Sequence, residues 1–150
     1  MDESELIALI HEAFGDMPHP GDASLRPEAC DDHEIQAFYG NKHWQDMAEK
    51  DLAYHNAALC FLSPAGFQFF LPAFLVWVIR NYRGSDAFTV DSTIYALDPG
   101  SPPDHFKLSK LRLLSPRQRQ AVLAFLEFMA AAGDESCDAE AAEYALGNLG

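Results

Sequence analysis

The side chains in this sequence that could perform chemistry are few and lack a complete partner set. Cys30 and His33 have the spacing of a metal-ligand pair, but a structural zinc site requires four nitrogen or sulfur ligands and no second pair follows. The sequence contains neither the G-x-S-x-G turn of serine hydrolases nor a glycine-rich phosphate loop. We therefore predict no catalytic residue, no metal site and no cofactor, and we expect a protein that is not an enzyme.

A second polar grouping has a simpler explanation. His43, Asp46 and Glu49 would share one face if their segment were helical. In a chain with six His and 23 acidic residues such groupings arise by chance. We interpret this one as a solvated helix face.

Net charge is the strongest feature of the composition. The 150 residues include 23 Asp and Glu against 10 Lys and Arg, which gives a formal charge of −13. Residues 1–36 contain ten acids and one base, and residues 134–150 contain five acids and no base. A field of this sign repels nucleic acid and anionic membranes and accelerates encounter with basic proteins. We predict a basic protein partner, and neither a nucleic-acid nor a membrane partner.

One stretch carries bases without acids. Its members are Lys107, Lys110, Arg112, Arg117 and Arg119. The overall negative charge opposes a nucleic-acid role for them, because the long-range field governs encounter. We expect these bases to neutralise the acidic termini within the fold.

Cysteine usage and the first residues favour a cytoplasmic protein. Three Cys at no regular spacing do not predict a disulfide framework, and they fit a reducing compartment. The chain starts Met-Asp-Glu-Ser-Glu, whereas a secretory signal starts with basic residues.

Hydrophobic periodicity and capping residues predict one all-α domain over residues 1–150. The Pro- and Gly-rich residues 15–29 should form a long loop. Residues 106–114 alternate loosely and predict a short extended segment. Residues 86–97 are rich in β-branched side chains, which leaves a strand as the alternative to a helix. The predicted helices cover residues 2–14, 31–40, 42–58, 64–82, 86–97, 116–132 and 138–148.

The helix over residues 64–82 should be the buried centre of the fold. Ser63 can cap it, and Pro64 suits the first helical position because its missing N–H would be unpaired there anyway. No charged residue occurs between Asp51 and Arg80. Polar residues in the first half leave too short an apolar run for a membrane span, which requires about 20 residues.

Pro72 lies inside this central helix. It removes the hydrogen bond to the Gln68 carbonyl and predicts a bend between these two residues. A ligand could bind to the freed carbonyl or in a pocket beside the bend, so a small enzyme or ligand-binding regulator is an alternative function. The aromatic side chains that would line this pocket are Phe67, Phe70, Phe74 and Trp77.

Residues 61–75, FLSPAGFQFFLPAFL, resemble the signature of a small bacterial family, Ser-Pro-Glu-(small)-Phe-x-Tyr-Tyr-Leu-Pro-Ala-(aromatic). The resemblance extends to a Trp segment at residues 43–46 and to a Leu-(Thr/Ser)-Pro-x-Gln helix at residues 114–126. Ala65 replaces the usual acid and Phe69-Phe70 replaces the Tyr pair, so no hydroxyl role carries over. The family implies no activity. Its small, acidic, single-domain character is similar to that of immunity proteins that neutralise bacterial toxins.

These observations favour a non-enzymatic acidic interaction protein, and specifically an immunity or antitoxin-type inhibitor of a basic bacterial effector. A further alternative is a structural homodimer that buries the apolar helix against a second copy. The side chains expected to bind the partner are acidic. They are Asp31, Asp32 and Glu34 after the first loop, and Glu140 and Glu143 in the last helix.

Overall fold

The computed structural model describes residues 1–25, 42–84, 88–132 and 137–149. Over these ranges the regular structure is helical and includes no strand, which confirms the all-α prediction. A 3-10 turn covers Trp44–Asp46. The α-helices are α1 (Glu3–Phe14), α2 (Asp22–Leu25), α3 (Glu49–Tyr54), α4 (Ala58–Phe61), α5 (Pro64–Asn81), α6 (Thr89–Ala96), α7 (His105–Leu111), α8 (Pro116–Ala132) and α9 (Ala139–Leu149).

Helix α5 is the centre of the fold. Its side chains from Phe69 to Ile79 are all buried, and the helix continues through Pro72. Helices α1, α3, α6 and α7 pack around it, and α8 packs between α1 and α9. The apolar run is thus covered by protein on several sides, as a helix without a polar face requires. Within the described ranges, no helix combines the length and apolar character needed to cross a membrane.

Two predicted helix starts are present. Asp2 Oδ1 accepts a hydrogen bond from Glu5 N at 2.8 Å, which caps α1. Ser63 Oγ accepts one from Gly66 N at 3.1 Å, which caps α5, and the same hydroxyl donates to Ser24 O. Each cap satisfies a backbone N–H that the helix itself leaves unpaired.

The predicted capping box at the start of α8 is complete, and one of its residues also bonds to α5. Ser115 Oγ accepts from Gln118 N at 3.1 Å, while Gln118 Oε1 accepts from Ser115 N at 3.0 Å. The same oxygen accepts from Gln68 Nε2 at 2.9 Å, and Gln68 Nε2 also donates to Leu113 O at 3.0 Å. The Gln68 side chain therefore joins α5 to the start of α8.

The single helix predicted over residues 42–58 is wrong. The segment forms the 3-10 turn, an extended step at Met47 and Ala48, and then α3, which ends at Tyr54. A tertiary contact explains the break in the helix. Trp44 is buried, and its indole N–H donates a hydrogen bond to Phe14 O at 3.3 Å. Inserting this ring into the core prevents one continuous helical face.

The extended segment predicted over residues 106–114 is also wrong. Residues His105–Leu111 form α7, and Asp104 caps it by accepting from Lys107 N at 2.9 Å. The β-branched segment that begins at Thr89 is likewise helical, as α6.

The long first loop is interrupted by α2 within its described part. The predicted helix over residues 31–40 lies outside the described residues.

A buried lysine closes the end of α4. The Lys110 side chain is 3% exposed, and its Nζ donates to Leu59 O at 2.7 Å and to Cys60 O at 3.0 Å. These carbonyls belong to the last turn of α4, which has no intrahelical donor for them. The ammonium also lies 4.2 Å from the centre of the Phe106 ring. Lys110 is thus a capping residue supplied by α7.

Candidate acidic helix face and ligand cleft

Of the two groups of acidic residues predicted to bind a partner, the structure describes only one. Asp31, Asp32 and Glu34 lie outside the described residues. Glu140 and Glu143 lie on α9, and both are exposed.

Small residues set the orientation of α9. The side chains that it buries against its neighbours are Ala139, Ala142, Ala145 and Leu149. Helix α8 and, to a lesser degree, α6 cover this side. Because the buried residues follow the helical repeat, the opposite side of α9 faces solvent, while Ala141 and Leu146 are partly buried and pack against the core.

Both ends of α9 are tied to other helices. Asp138 Oδ1 accepts from Ala141 N at 3.0 Å, and Asp138 N donates to Asp91 Oδ1 at 2.9 Å. Tyr95 on α6 donates its hydroxyl to Asp138 Oδ2 at 2.8 Å. At the other end, the Arg119 guanidinium donates to Leu149 O. These contacts hold the solvent face of α9 in one orientation.

The hydrogen bond to Asp138 should be measurable through Tyr95. The bond to this carboxylate, together with burial and the charges of Asp138 and Asp91, raises the pKa of Tyr95 from 10.0 to about 12. Because the folded-state pKa is raised, this contribution to stability is complete below pH 10 and is lost as the pH rises towards 12. We expect an absorbance titration of the tyrosine side chains to show one deprotonation step at a higher pH than the others, near the pKa of Tyr95.

The matched variants for this titration are Tyr95→Phe and Tyr54→Phe. Tyr95→Phe should remove this high-pH step, whereas Tyr54→Phe, at a 77% exposed position, should leave it. Circular dichroism must show folded protein over the range used. A single transition near the ordinary tyrosine pKa would refute the Tyr95–Asp138 bond in solution.

We call the solvent side of α9 the acidic helix face. It comprises Glu140, Glu143, Tyr144, Gly147 and Asn148, all of which are exposed. Tyr144 is 63% exposed, one turn after Glu140 and adjacent to Glu143. Among the described residues, no salt bridge engages either glutamate.

Most side chains of the basic stretch after residue 106 make contacts within the protein. Lys110 is buried, the Arg117 guanidinium pairs with Glu12, and Arg119 binds the end of α9. Lys107 Nζ donates to Tyr95 O at 3.2 Å.

The four aromatic side chains predicted to line a pocket beside Pro72 have two different environments. Phe67, Phe70 and Phe74 are fully buried in the core. Trp77 is also buried but lines a surface cleft of about 260 Å³. Pro72 is not among the residues that line this cleft.

The cleft has an apolar floor built largely from one face of α5. Ala73, Val76 and Trp77 lie at helical spacing on that face, and Arg80 follows one turn later at the rim. The 3-10 turn and α3 supply the remaining apolar side chains. These are Trp44, Met47 and Leu52.

Polar groups converge on the rim from four elements. They are His11 on α1, Gln45 on the 3-10 turn, Glu49 on α3 and Arg80 on α5. Gln45 Nε2 lies 3.3 Å from His11 Nδ1, so the amide donates to that ring nitrogen. Burial, and next the Arg80 charge, lower the pKa of His11 below its ordinary 6.5. Both effects favour the neutral form of the His11 ring.

Some residues that line this cleft were noticed in the sequence, but their spacing did not predict a cleft. His43, Asp46 and Glu49 were interpreted as a solvated helix face, yet Glu49 lines the cleft together with Trp44 and Gln45. His11 and Arg80 come from distant parts of the chain. Their meeting depends on α1 packing against α5.

The described residues contain no group of three or more His, Cys, Asp or Glu side chains placed to hold a metal ion. Cys60 and Cys137 are not joined in a disulfide. Cys30 and His33 lie outside the described ranges.

Comparison with known proteins establishes the family. The family model described as "Family of unknown function (DUF6714)" matches residues 2–146. The chain belongs to this family. The match spans α1 through most of α9, so both the acidic helix face and the cleft lie almost wholly within the family region. No curated protein and no solved structure matches the chain.

Proposed function

We propose that this protein is a non-enzymatic interaction protein that binds a basic partner on the acidic helix face. The observation that carries the proposal is the exposure of Tyr144 beside Glu140 and Glu143 on a helix whose ends are fixed. A rigid surface loses little conformational entropy when a partner binds.

The chemistry of this face suits Lys and Arg side chains. An exposed tyrosine offers a large contact area at low entropic cost, and its ring attracts cations. The neighbouring carboxylates can accept charge-assisted hydrogen bonds from the same cations. The formal charge of −13 would accelerate encounter with such a partner at low salt.

The specific form of this function is an immunity or antitoxin-type inhibitor. The support is the small size and strong acidity of the chain, which suit a protein that covers the basic surface of an effector. If so, the captured partner must have an activity that falls when the complex forms.

The test compares two charge reversals that produce the same net charge. Glu140→Lys/Glu143→Lys alters the acidic helix face, while Asp16→Lys/Glu127→Lys alters exposed acids elsewhere. Each protein is used for affinity capture from native lysate at low and high salt, with quantitative mass spectrometry of the eluate. We expect one basic protein to be retained at low salt by the wild type and by the control, but not by the α9 variant.

Two outcomes would refute this proposal. Equal loss of the partner by both variants would show that only net charge matters. Equal retention by both would show that the partner binds elsewhere. Circular dichroism and urea unfolding of each variant exclude misfolding as the cause of a loss.

A further inference from the structure

We propose that the cleft binds a small aromatic zwitterion, that is, a compound with one carboxylate, one amine and one flat ring. Arg80 would receive the carboxylate, Glu49 the amine, and the floor at Trp77 the ring. This site is separate from the acidic helix face, and the proposal does not depend on the proposed function.

The first support is a pair of opposite charges that share a cleft without pairing. Arg80 and Glu49 both line it. In the described part of the chain, neither side chain forms a salt bridge or a hydrogen bond. Two opposite charges on one rim that do not neutralise each other can each receive a ligand charge of the other sign.

The second support is a neutral hydrogen-bond donor beside Arg80. Gln45 Nε2 lies 3.3 Å from His11 Nδ1, and in the neutral ring this contact favours the tautomer that carries its proton on Nε2. The lowered pKa of His11 favours the neutral ring. The rim thus offers a carboxylate one permanent cation and a directional N–H donor, and no second positive charge.

The third support is the size and composition of the floor. About 260 Å³ falls just below the range of about 300–1,000 Å³ that drug-sized ligands occupy. The floor includes both tryptophans of the chain. Trp44 is fixed by its bond to Phe14 O, and its ring centre lies 5.0 Å from that of His11. A single aromatic ring matches this volume, and aromatic faces favour it.

The experiment uses three probes that differ only in their charged groups. L-phenylalanine carries both groups, 3-phenylpropanoate lacks the amine, and 2-phenylethylamine lacks the carboxylate. Both tryptophans line the cleft, so their fluorescence reports binding directly, and calorimetry provides the stoichiometry. We expect phenylalanine to bind with a dissociation constant on the order of 0.1 mM, and each of the other probes to bind roughly tenfold more weakly or worse.

Single variants assign each charge to its contact. Arg80→Gln should weaken phenylalanine binding about tenfold and leave 2-phenylethylamine unchanged, since that probe has no carboxylate to lose. Glu49→Gln should weaken phenylalanine similarly and leave 3-phenylpropanoate unchanged. Arg112→Gln removes an exposed arginine outside the cleft and should change nothing.

The proposal is overturned if no probe alters the fluorescence at millimolar concentration. It is also overturned if 3-phenylpropanoate binds as tightly as phenylalanine, because Glu49 would then have no role. Equal weakening by Arg112→Gln would likewise contradict it.

Discussion

Replacing Lys110 with methionine should lower the free energy of unfolding by about 2 kcal/mol. Methionine preserves an unbranched, apolar chain of similar length and removes the ammonium. Leu59 O and Cys60 O would then lose the donor that caps the last turn of α4. A buried acceptor left without a donor costs about 1–3 kcal/mol, and bonds to charged groups lie at the upper end. Relief from burying a cation offsets part of this loss.

Urea unfolding of Lys110→Met and Lys50→Met tests this expectation. Lys50 is exposed, so its substitution should change stability by less than about 0.5 kcal/mol. Equal stability of Lys110→Met and the wild type would show that the cost of burying the ammonium cancels its two hydrogen bonds.

Phe74→Ala should be still more destabilising, by about 3–5 kcal/mol. Phe74 is fully buried at the middle of α5, the helix on which α1, α3, α6 and α7 pack. Removing the ring takes away its transfer free energy and leaves a cavity that rigid neighbouring helices cannot fill.

The same substitution at an exposed phenylalanine is the control. Phe88 is 75% exposed, so Phe88→Ala should change the unfolding free energy by less than about 0.5 kcal/mol. If Phe74→Ala fails to fold, the milder Phe74→Leu, measured by urea unfolding, replaces it and should still cost more than Phe88→Ala. A loss at Phe74 no greater than that at Phe88 would contradict the central position of α5.

Local signals predicted the parts of the fold that local energetics control. Asp2, Ser63 and Ser115 begin helices in the structure because each side chain satisfies backbone donors only three residues away. The apolar run after Gln68 predicted a buried central helix, because a helix without a polar face must be covered on all sides.

The errors occurred where distant contacts override local pattern. The helix predicted over residues 42–58 breaks because Trp44 bonds to Phe14 in α1, which no periodicity reveals. The segment 106–114 was predicted to be extended from its loose alternation. The residue that indicates a helix here is Asp104, which directly follows two prolines and caps α7.

For the candidate sites too, the sequence predicted what depends on local pattern and missed what depends on distant contacts. Glu140 and Glu143 could be placed on an exposed helix face, because the alanine pattern of α9 identifies its buried side. The cleft could not be predicted, because Trp44 and Trp77 come to line it together only through packing of the 3-10 turn on α5. Of the side chains predicted to line a pocket beside Pro72, Trp77 lines the cleft, whereas Phe67, Phe70 and Phe74 are fully buried.

The most direct test of docking on the acidic helix face is the association rate constant with the captured basic partner. Wild type and Glu140→Lys/Glu143→Lys are compared at low and high salt by stopped-flow mixing or surface plasmon resonance. Docking on α9 predicts a rate at least about tenfold lower for the variant at low salt, with the difference shrinking at high salt as charges are screened. The same rate for both proteins at low salt would contradict docking on this face.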